Sequence, residues 1–240
     1  MAERTLRRRI VATLEDSGRD TPYLADANEP DPRYVGYGVR APAMKQLIAD
    51  YRDELNALPR ESALRLATDL LDSGYGEQQT VALYLLNRFV EDFTPDRFDE
   101  VDLLFRKLHG WSKIYAYTGS FLRTLLTLHQ EATLKLVADW NQDDELWLRR
   151  ASVVLFTRKT AASGLYTDAA LEFCERLKHD VEDMVRKGVG WCLKDLMKAD
   201  RQRIIDYVIE LRRQKISSTI TLYALRDIKG EERGAILEAG

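Results

Sequence analysis

Apolar side chains recur at three- and four-residue spacing along most of this chain, which is the pattern of amphipathic helices. The spacing predicts helices over residues 1–17, 44–58, 62–72, 78–91, 98–108, 114–128, 132–140, 147–157, 168–178, 183–197, 202–213 and 217–228. Runs that alternate apolar and polar residues, as strands do, are nearly absent. We therefore expect an all-α protein made of short helices joined by short turns.

One segment near the N-terminus interrupts this pattern. Residues 19–43 are rich in Tyr, Pro and Gly, and Pro and Gly stop helices, so we expect an irregular connection there. The rest of the chain needs no second domain. We predict a single domain over residues 1–240 that ends in a disordered tail at 230–240.

A polar residue precedes a small one at regular intervals along the helical part of the chain. The polar residues are Gln79, Tyr115, Arg150 and Lys187, and the intervals between them are 36, 35 and 37 residues. One helix pair occupies about this length in two-helix solenoids, whose repeats run to roughly 34–47 residues. The small residue lets neighbouring helices approach closely, and the polar residue should lie at the edge of the packed face. We call these four residues the period-36 stripe and predict that they mark a binding surface.

Composition narrows the class of protein. The 240 residues carry 36 Lys and Arg against 39 Asp and Glu, so a nucleic-acid partner would need a local cationic face. Cys174 and Cys192 lack metal-ligand spacing and lie in apolar helical patterns, which predicts reduced core thiols and a cytoplasmic location. No signal peptide is recognisable, and no run approaches the roughly 18 apolar residues of a membrane span.

Aromatic and cationic residues cluster near the stripe. Trp111, Trp147 and Trp191 lie close to it, and a core position accounts for any one of them as well as a binding surface does; we take Trp147 as core. Arg149 and Arg150 open an otherwise apolar helix. Cations that recur one helix pair apart favour a polyanionic ligand, although each could also be a solvated side chain.

Four segments resemble the DNA alkylation repair family of AlkD-like proteins. They are Tyr34–Leu47, Gly110–Ser112, Leu146–Ala151 and Gly190–Lys194, and their order and spacing match the family over roughly residues 5–228. The resemblance implies a right-handed superhelical solenoid of HEAT-like repeats. It also implies a concave cationic face that grips duplex DNA and, in active members, excision of positively charged alkylated purines without drawing the base into a pocket.

The resemblance assigns roles to particular residues. Trp111 and Trp191 would press against the DNA backbone around a lesion, Arg150 would hold a phosphate, and Lys194 stands where active members carry arginine. Four further cations near these motifs are included as candidate DNA contacts: Lys187, Arg149, Lys113 and Arg40.

The resemblance implies that Tyr115 stands at the position where active members carry a catalytic aspartate. It lies one helical turn after Trp111, so the two side chains share a face. No Asp or Glu occurs from Trp111 to Gln130. A carboxylate would stabilise the positive charge that develops on the sugar, whereas a tyrosine phenol, with a reference pKa of about 10, is neutral at pH 7. We therefore predict that the protein binds DNA and excises bases slowly or not at all.

Two other functions remain open at this stage. One is an active 3-methyladenine or 7-methylguanine glycosylase in which Tyr115 places a water, and the other is a helical-repeat scaffold that binds a protein or peptide. The three histidines lack metal-ligand spacing, and no nucleotide-binding motif is present, so we expect no metal and no cofactor. The expected partner is double-stranded DNA, alkylated or branched, bound by a monomer.

Overall fold

The computed structural model describes residues 2–18 and 31–240, in which every regular element is helical. The predicted all-α class is therefore confirmed. The chain forms two compact units, Met1–His129 and Gln130–Gly240. The expectation of a single domain stays a prediction, and each unit is described by itself. None of the helices in the described residues combines the length and the apolar character needed to cross a membrane.

The first unit contains eight α-helices in its described part. They are α1 Ala2–Gly18, α2 Ala41–Asp50, α3 Arg52–Ala57, α4 Arg60–Leu71, α5 Gly76–Arg88, α6 Phe98–Arg106, α7 Trp111–Tyr117 and α8 Arg123–Leu128. Helices α4 and α5 pack against each other as a pair, and α5 also packs against α7. The pairing buries apolar stripes at three- and four-residue spacing, such as Ala63, Leu66 and Leu70 on α4.

A π-helical turn at Thr118–Leu122 joins α7 to α8 without a break in the helix. Hydroxyl groups bind backbone carbonyls along this turn: Thr118 Oγ1 donates to the Ile114 carbonyl at 2.7 Å, and Ser120 Oγ donates to the Ala116 carbonyl at 2.8 Å. These bonds satisfy carbonyl groups where the i to i+4 ladder is widened. The turn therefore has local support from its own sequence.

The second unit also contains eight α-helices. They are α9 Gln130–Trp140, α10 Leu146–Val154, α11 Arg158–Ala162, α12 Thr167–Leu177, α13 Asp183–Leu196, α14 Arg201–Arg213, α15 Ser218–Ala224 and α16 Gly230–Ala239. The two helices pack against each other in each of three pairs, α9–α10, α12–α13 and α14–α15. The second helices of these pairs lie side by side in the order α10, α13, α15. This is the packing of two-helix repeats.

Two glycines allow α13 to lie close to both of its neighbours. A Cβ atom on Gly188 would lie 3.3 Å from Cγ of Arg150 on α10, and a Cβ atom on Gly190 would lie 2.7 Å from Cβ of Tyr223 on α15. Residues two apart point to nearly opposite sides of a helix. One glycine therefore serves each contact, and Gly188 is the small residue that follows Lys187 in the 36-residue period.

The structure confirms most predicted helices and corrects others. The predicted helix 44–58 begins at Ala41 and divides at Tyr51 into α2 and α3. Part of the predicted irregular connection, residues 31–40, is indeed without helix, whereas residues 19–30 lie outside the described residues. Both cysteines and Trp147 are buried as predicted.

The predicted disordered tail at 230–240 is wrong, because Gly230–Ala239 forms helix α16. This helix packs against α14, and its Ile236 is 5% exposed. Arg212 Nη2 donates to the carbonyl of Leu237 at 3.1 Å. The segment offers few buried apolar positions, so its helical pattern is weak in the sequence even though the helix docks on the unit.

The close approach at Gly190 can be tested by adding one methyl group. In Gly190→Ala the new Cβ meets Cβ of Tyr223 and, at 2.8 Å, the backbone oxygen of Ile220, which has no rotamer to escape through. We expect the free energy of unfolding, measured by urea denaturation, to fall by about 1–3 kcal/mol.

Gly234 in α16 is the matched control, because nothing lies within 4 Å of the position that an added methyl group would take. Alanine favours a helix over glycine by about 0.5–1 kcal/mol, so Gly234→Ala should raise the free energy of unfolding. A Gly190→Ala variant that is as stable as the unmodified protein, or gains stability as Gly234→Ala does, would contradict the assignment of Gly190 as a packing residue.

Candidate nucleic-acid interface

Helix α7 carries two aromatic candidates of the first unit on one face. Trp111 is its first residue, after Gly110 with a φ of 97°, and Tyr115 follows one turn later. Both side chains are partly exposed. The helix therefore presents Tyr115 beside Trp111, as the sequence predicts.

Lys113 lies on another side of α7, against α5. Its Nζ donates to Thr80 Oγ1 at 2.7 Å, and the Thr80 hydroxyl in turn donates to the Gly76 carbonyl at 3.0 Å. Burial lowers the pKa of Lys113 to about 8, although the charge of Glu77 acts in the opposite direction. Lys113 is thus a largely desolvated amine rather than a cation displayed to solvent.

The buried carboxylate of Glu77 fixes the loop that leads to Arg40. Its two oxygens accept backbone N–H groups of Tyr37 at 3.0 Å, Gly38 at 2.9 Å and Val39 at 3.0 Å. The Tyr37 ring stacks on Tyr75 with centroids 4.3 Å apart. Arg40 follows directly as the exposed N-cap residue of α2. A single acid on α5 therefore positions an exposed cation.

Glu77 is hard to recognise from the sequence, because an acid in the first turn of a helix usually faces solvent near the dipole. The sequence feature that indicates an anion bound by this loop is the pair of glycines at positions 36 and 38. A Cβ on Gly36 would lie 3.0 Å from Glu77 Oε2, and Gly38 has a φ of 79°. Such a loop curls its N–H groups around an anion.

The two adjacent arginines of α10 are held inside the second unit. Arg149 Nε bonds Asp180 at 2.7 Å, and its Nη1 donates to the carbonyls of Asp143 and Asp144 at 2.8 and 2.9 Å. Arg150 is 4% exposed, and its Nη1 donates to the carbonyl of Met184 on α13. As placed, these guanidinium groups join elements of the unit. Their assignment as DNA contacts stays a prediction.

The period-36 stripe is not uniformly exposed. Gln79 is 1% exposed and donates from Nε2 to the Lys107 carbonyl at 2.9 Å, and Arg150 is buried as described. Tyr115 and Lys187 present more surface, with Lys187 43% exposed at its side chain and paired with Asp183 at 2.8 Å. The period therefore marks helix packing more directly than it marks a surface.

A buried carboxylate, Asp195, organises the C-terminal part of α13. It accepts hydrogen bonds from Trp191 Nε1 at 2.9 Å and from the Arg158 backbone at 2.8 Å, and it pairs with Lys194 at 3.0 Å and Lys198 at 3.1 Å. Burial would raise the pKa of Asp195, but these hydrogen bonds and charges outweigh it and the pKa is lowered. The carboxylate stays ionised and fixes the Trp191 ring, which is 9% exposed.

Lys194 bridges Asp195 to Asp227, whose carboxylate lies 3.1 Å from Nζ. Desolvation acts to lower the pKa of Lys194, but bonds to both aspartates outweigh it and the pKa is raised. Lys194 is therefore a permanent cation at neutral pH, beside Trp191.

Arg158 is a second functional candidate that the sequence does not reveal. It is exposed, its φ is 55°, and its Cζ lies 5.5 Å from the centroid of the Trp191 ring. A non-glycine residue rarely adopts this left-handed conformation, and the hydrogen bond from its N–H to Asp195 stabilises it. Asp195 thus sets an exposed guanidinium over a tryptophan.

Replacing Lys113 by methionine should stabilise the protein at neutral pH. The folded state disfavours protonated Lys113 at every pH below its pKa of about 8, and this penalty declines as the pH rises from there towards the ordinary value of 10.5. We expect Lys113→Met to raise the free energy of unfolding by about 1–3 kcal/mol at pH 7 and by less at pH 10. Urea denaturation at both pH values checks this, and a gain that does not depend on pH would contradict the burial of charge.

Comparisons with known proteins agree with this architecture. The family model described as "DNA alkylation repair enzyme" matches residues 32–228. Among solved structures, a predicted DNA alkylation repair enzyme from Enterococcus faecalis is 16% identical with a TM-score of 0.66, and the match covers 92% of this chain and 95% of that one.

A second structure, the Pseudomonas fluorescens alkylpurine DNA glycosylase AlkC bound to DNA containing an abasic site analog, is also 16% identical, with a TM-score of 0.51. That match covers 99% of this chain and 65% of the other. At these identities the two structures show the fold alone, and no curated protein matches significantly. The family model, in contrast, spans most of the chain, and the protein belongs to the DNA alkylation repair enzyme family.

Proposed function

We propose that this protein binds duplex DNA and excises cationic N3- or N7-alkylated purines weakly or not at all. The observation that carries the proposal is Tyr115, which stands beside Trp111 on α7 where the resemblance places a catalytic aspartate. Membership of the DNA alkylation repair enzyme family supports DNA as the partner. The AlkC structure, which contains DNA with an abasic site analog, supports the same partner.

Exposed cations in each of the two units are suited to bind phosphate. Arg40 is exposed at the N-terminus of α2, and Arg158 is exposed over Trp191. Lys187 has an ion pair with Asp183, both partly exposed. Exposed ion pairs contribute about 0–1 kcal/mol, so a DNA phosphate can displace Asp183 at little cost. Arg149 differs, because its carboxylate partner is 6% exposed and two carbonyls also hold it.

Tyr115 accounts for the weak excision in the proposal. Cleavage of an N-glycosidic bond builds positive charge on the sugar, and a fixed carboxylate stabilises that charge. The helix from Trp111 to Leu128 contains no Asp or Glu, so no neighbouring residue of this helix replaces it. A phenol side chain can stack on a sugar or bind a phosphate, and both actions hold DNA rather than promote cleavage.

Binding should depend on exposed cations and on salt. We expect fluorescence anisotropy with a labelled duplex to show an affinity whose logarithm falls linearly with the logarithm of salt concentration. Arg40→Ala and Arg158→Ala should each weaken binding several-fold and lower the slope by about one. These variants test DNA binding more directly than Arg150→Ala does, because loss of the hydrogen bond to the Met184 carbonyl would disturb α13 itself.

Lys135 on α9 provides the control, because it is exposed and lies outside the candidate set. Lys135→Ala should leave the affinity nearly unchanged. Binding that is insensitive to salt, or capture of peptides in place of DNA, would favour a protein-binding scaffold and contradict the proposal.

Excision should be gained by restoring the carboxylate. We expect Tyr115→Asp to increase release of 7-methylguanine from methylated duplex DNA by about 10²–10³-fold, the usual range for an electrostatic stabiliser. Ser112→Asp is the matched variant, because it adds the same charge on another side of α7 and should give no gain. Released bases are quantified by chromatography against a blank without protein. Robust release by the unmodified protein that persists in Tyr115→Phe would show that the tyrosine is compatible with catalysis and would overturn the proposal.

A further inference from the structure

The 36-residue period continues into α15 of the second unit. The residue 36 positions after Lys187 is Tyr223, and the small residue Ala224 follows it. Tyr223 is partly exposed and packs on α13 at Gly190, where an added Cβ would come within 2.7 Å of Cβ of Tyr223. Arg226 is exposed in the turn after α15, and its Cζ lies 5.5 Å from the centroid of the Tyr223 ring. The negative face of an aromatic ring attracts a guanidinium in this position.

Two contacts bring the end of α15 against one face of α13. Gly190 and Lys194 are four residues apart, so they share that face. Tyr223 packs at Gly190, and Asp227 pairs with Lys194 at 3.1 Å. Arg226 lies between Tyr223 and Asp227 in the chain, with its guanidinium over the Tyr223 ring. We call the surface formed by Lys194, Tyr223, Arg226 and Asp227 the α13–α15 seam.

The two cations of the seam differ in their partners. Lys194 pairs with two carboxylates, Asp195 at 3.0 Å and Asp227 at 3.1 Å. Asp195 is 1% exposed at its side chain, whereas Asp227 is 68% exposed. An exposed ion pair contributes little, so the Asp227 carboxylate can leave Lys194 at little cost. Within the described residues, no carboxylate lies at ion-pair distance from the guanidinium of Arg226.

We propose that the α13–α15 seam binds a phosphate of the DNA backbone through Arg226 and Lys194, and that Asp227 competes with this phosphate. In the free protein the Asp227 carboxylate occupies Lys194, and in the complex a phosphate oxygen takes its place. The planar guanidinium of Arg226 binds phosphate oxygens in its turn. Tyr223 is a positioning residue, because it acts through Arg226.

This inference rests on the proposed DNA binding and adds a contact region and an internal competitor to it. The resemblance to the family assigns no role to Tyr223, Arg226 or Asp227. The seam also repeats a device of the same unit, in which Arg158 lies over the ring of Trp191.

Two substitutions of opposite charge test the seam by fluorescence anisotropy with a labelled duplex. Arg226→Ala should weaken binding several-fold and lower the salt slope by about one, because one phosphate contact is lost. Asp227→Asn should strengthen binding about two- to five-fold, because Lys194 is released from an exposed ion pair and a carboxylate no longer repels the phosphate. This gain should shrink at high salt, where exposed charges are screened.

The ion pair of Arg203 and Asp168 provides matched controls in the same unit. Its atoms are 2.7 Å apart, and its side chains are 50% and 87% exposed. These residues belong to α14 and α12, the first helices of their pairs, and not to the row α10, α13, α15. Arg203→Ala and Asp168→Asn change the net charge as the seam variants do and should leave the affinity nearly unchanged. Effects as large as those of the seam variants would reduce the result to net charge and overturn the site.

The role of Tyr223 is tested by a pair of variants. Tyr223→Phe keeps the ring and should bind as the unmodified protein does, whereas Tyr223→Leu should weaken binding several-fold. In the Arg226→Ala background Tyr223→Leu should have no further effect, because a positioning residue acts only through its partner. Further loss in the double variant would contradict the positioning role. Arg226→Ala and Asp227→Asn alter exposed side chains, so they test the seam even if Tyr223→Leu does not fold.

The outcomes separate this inference from the proposed function. Salt-dependent duplex binding that neither Arg226→Ala nor Asp227→Asn changes overturns the seam and leaves DNA binding intact. Weaker binding by Asp227→Asn also overturns it, because the acid would then support the complex. Absence of duplex binding by both the unmodified protein and Asp227→Asn overturns both proposals.

Discussion

The close approach of α13 to α10 and α15 is the constraint on which the second unit depends. Gly188 and Gly190 leave room for Arg150 and Tyr223 of the neighbouring helices. A side chain at either position would need the neighbour to shift, and packed interiors accommodate such shifts poorly. The repeat period therefore reflects a spacing between helices. The candidate residues of α13 inherit their positions from that spacing.

Two buried carboxylates fix the positions of cationic residues on the packed helices. Glu77 uses its two oxygens to hold the loop before Arg40, and Asp195 holds Trp191, Lys194 and the Arg158 backbone. A buried charge is tolerated only when several donors satisfy it. The same donors are thereby fixed in position. In each unit, a buried acid therefore determines where an exposed cation lies on the surface.

Sequence periodicity predicts the helices well because the apolar stripe repeats on the geometry of the helix itself. It also identifies Trp147 as core, and the small residue at position 188 follows from the same repeat. It does not distinguish Arg150, which binds a carbonyl inside the unit, from a solvated arginine, because the partner carbonyl is 34 residues away. The sequence does not reveal the roles of Glu77 and Arg158 for the same reason. Their contacts join residues that are 38–40 and 37 positions apart in the chain, respectively. Helix α16 is not predicted from the sequence because its apolar stripe is short.

The π-helical turn at Thr118–Leu122 changes how this part of the chain can be compared with relatives. Such a turn accommodates one extra residue within a continuous helix, so the face that follows is rotated by about 100° from that of an uninterrupted α-helix. Leu125 and Leu126, which are buried in α8, thus occupy a different frame from Trp111 and Tyr115. Against a relative whose helix lacks such a turn, an alignment that matches the apolar positions of α8 without a gap would displace α7 by one residue. Position 115 precedes the turn, so its correspondence with relatives follows from the frame of α7 and not from that of α8.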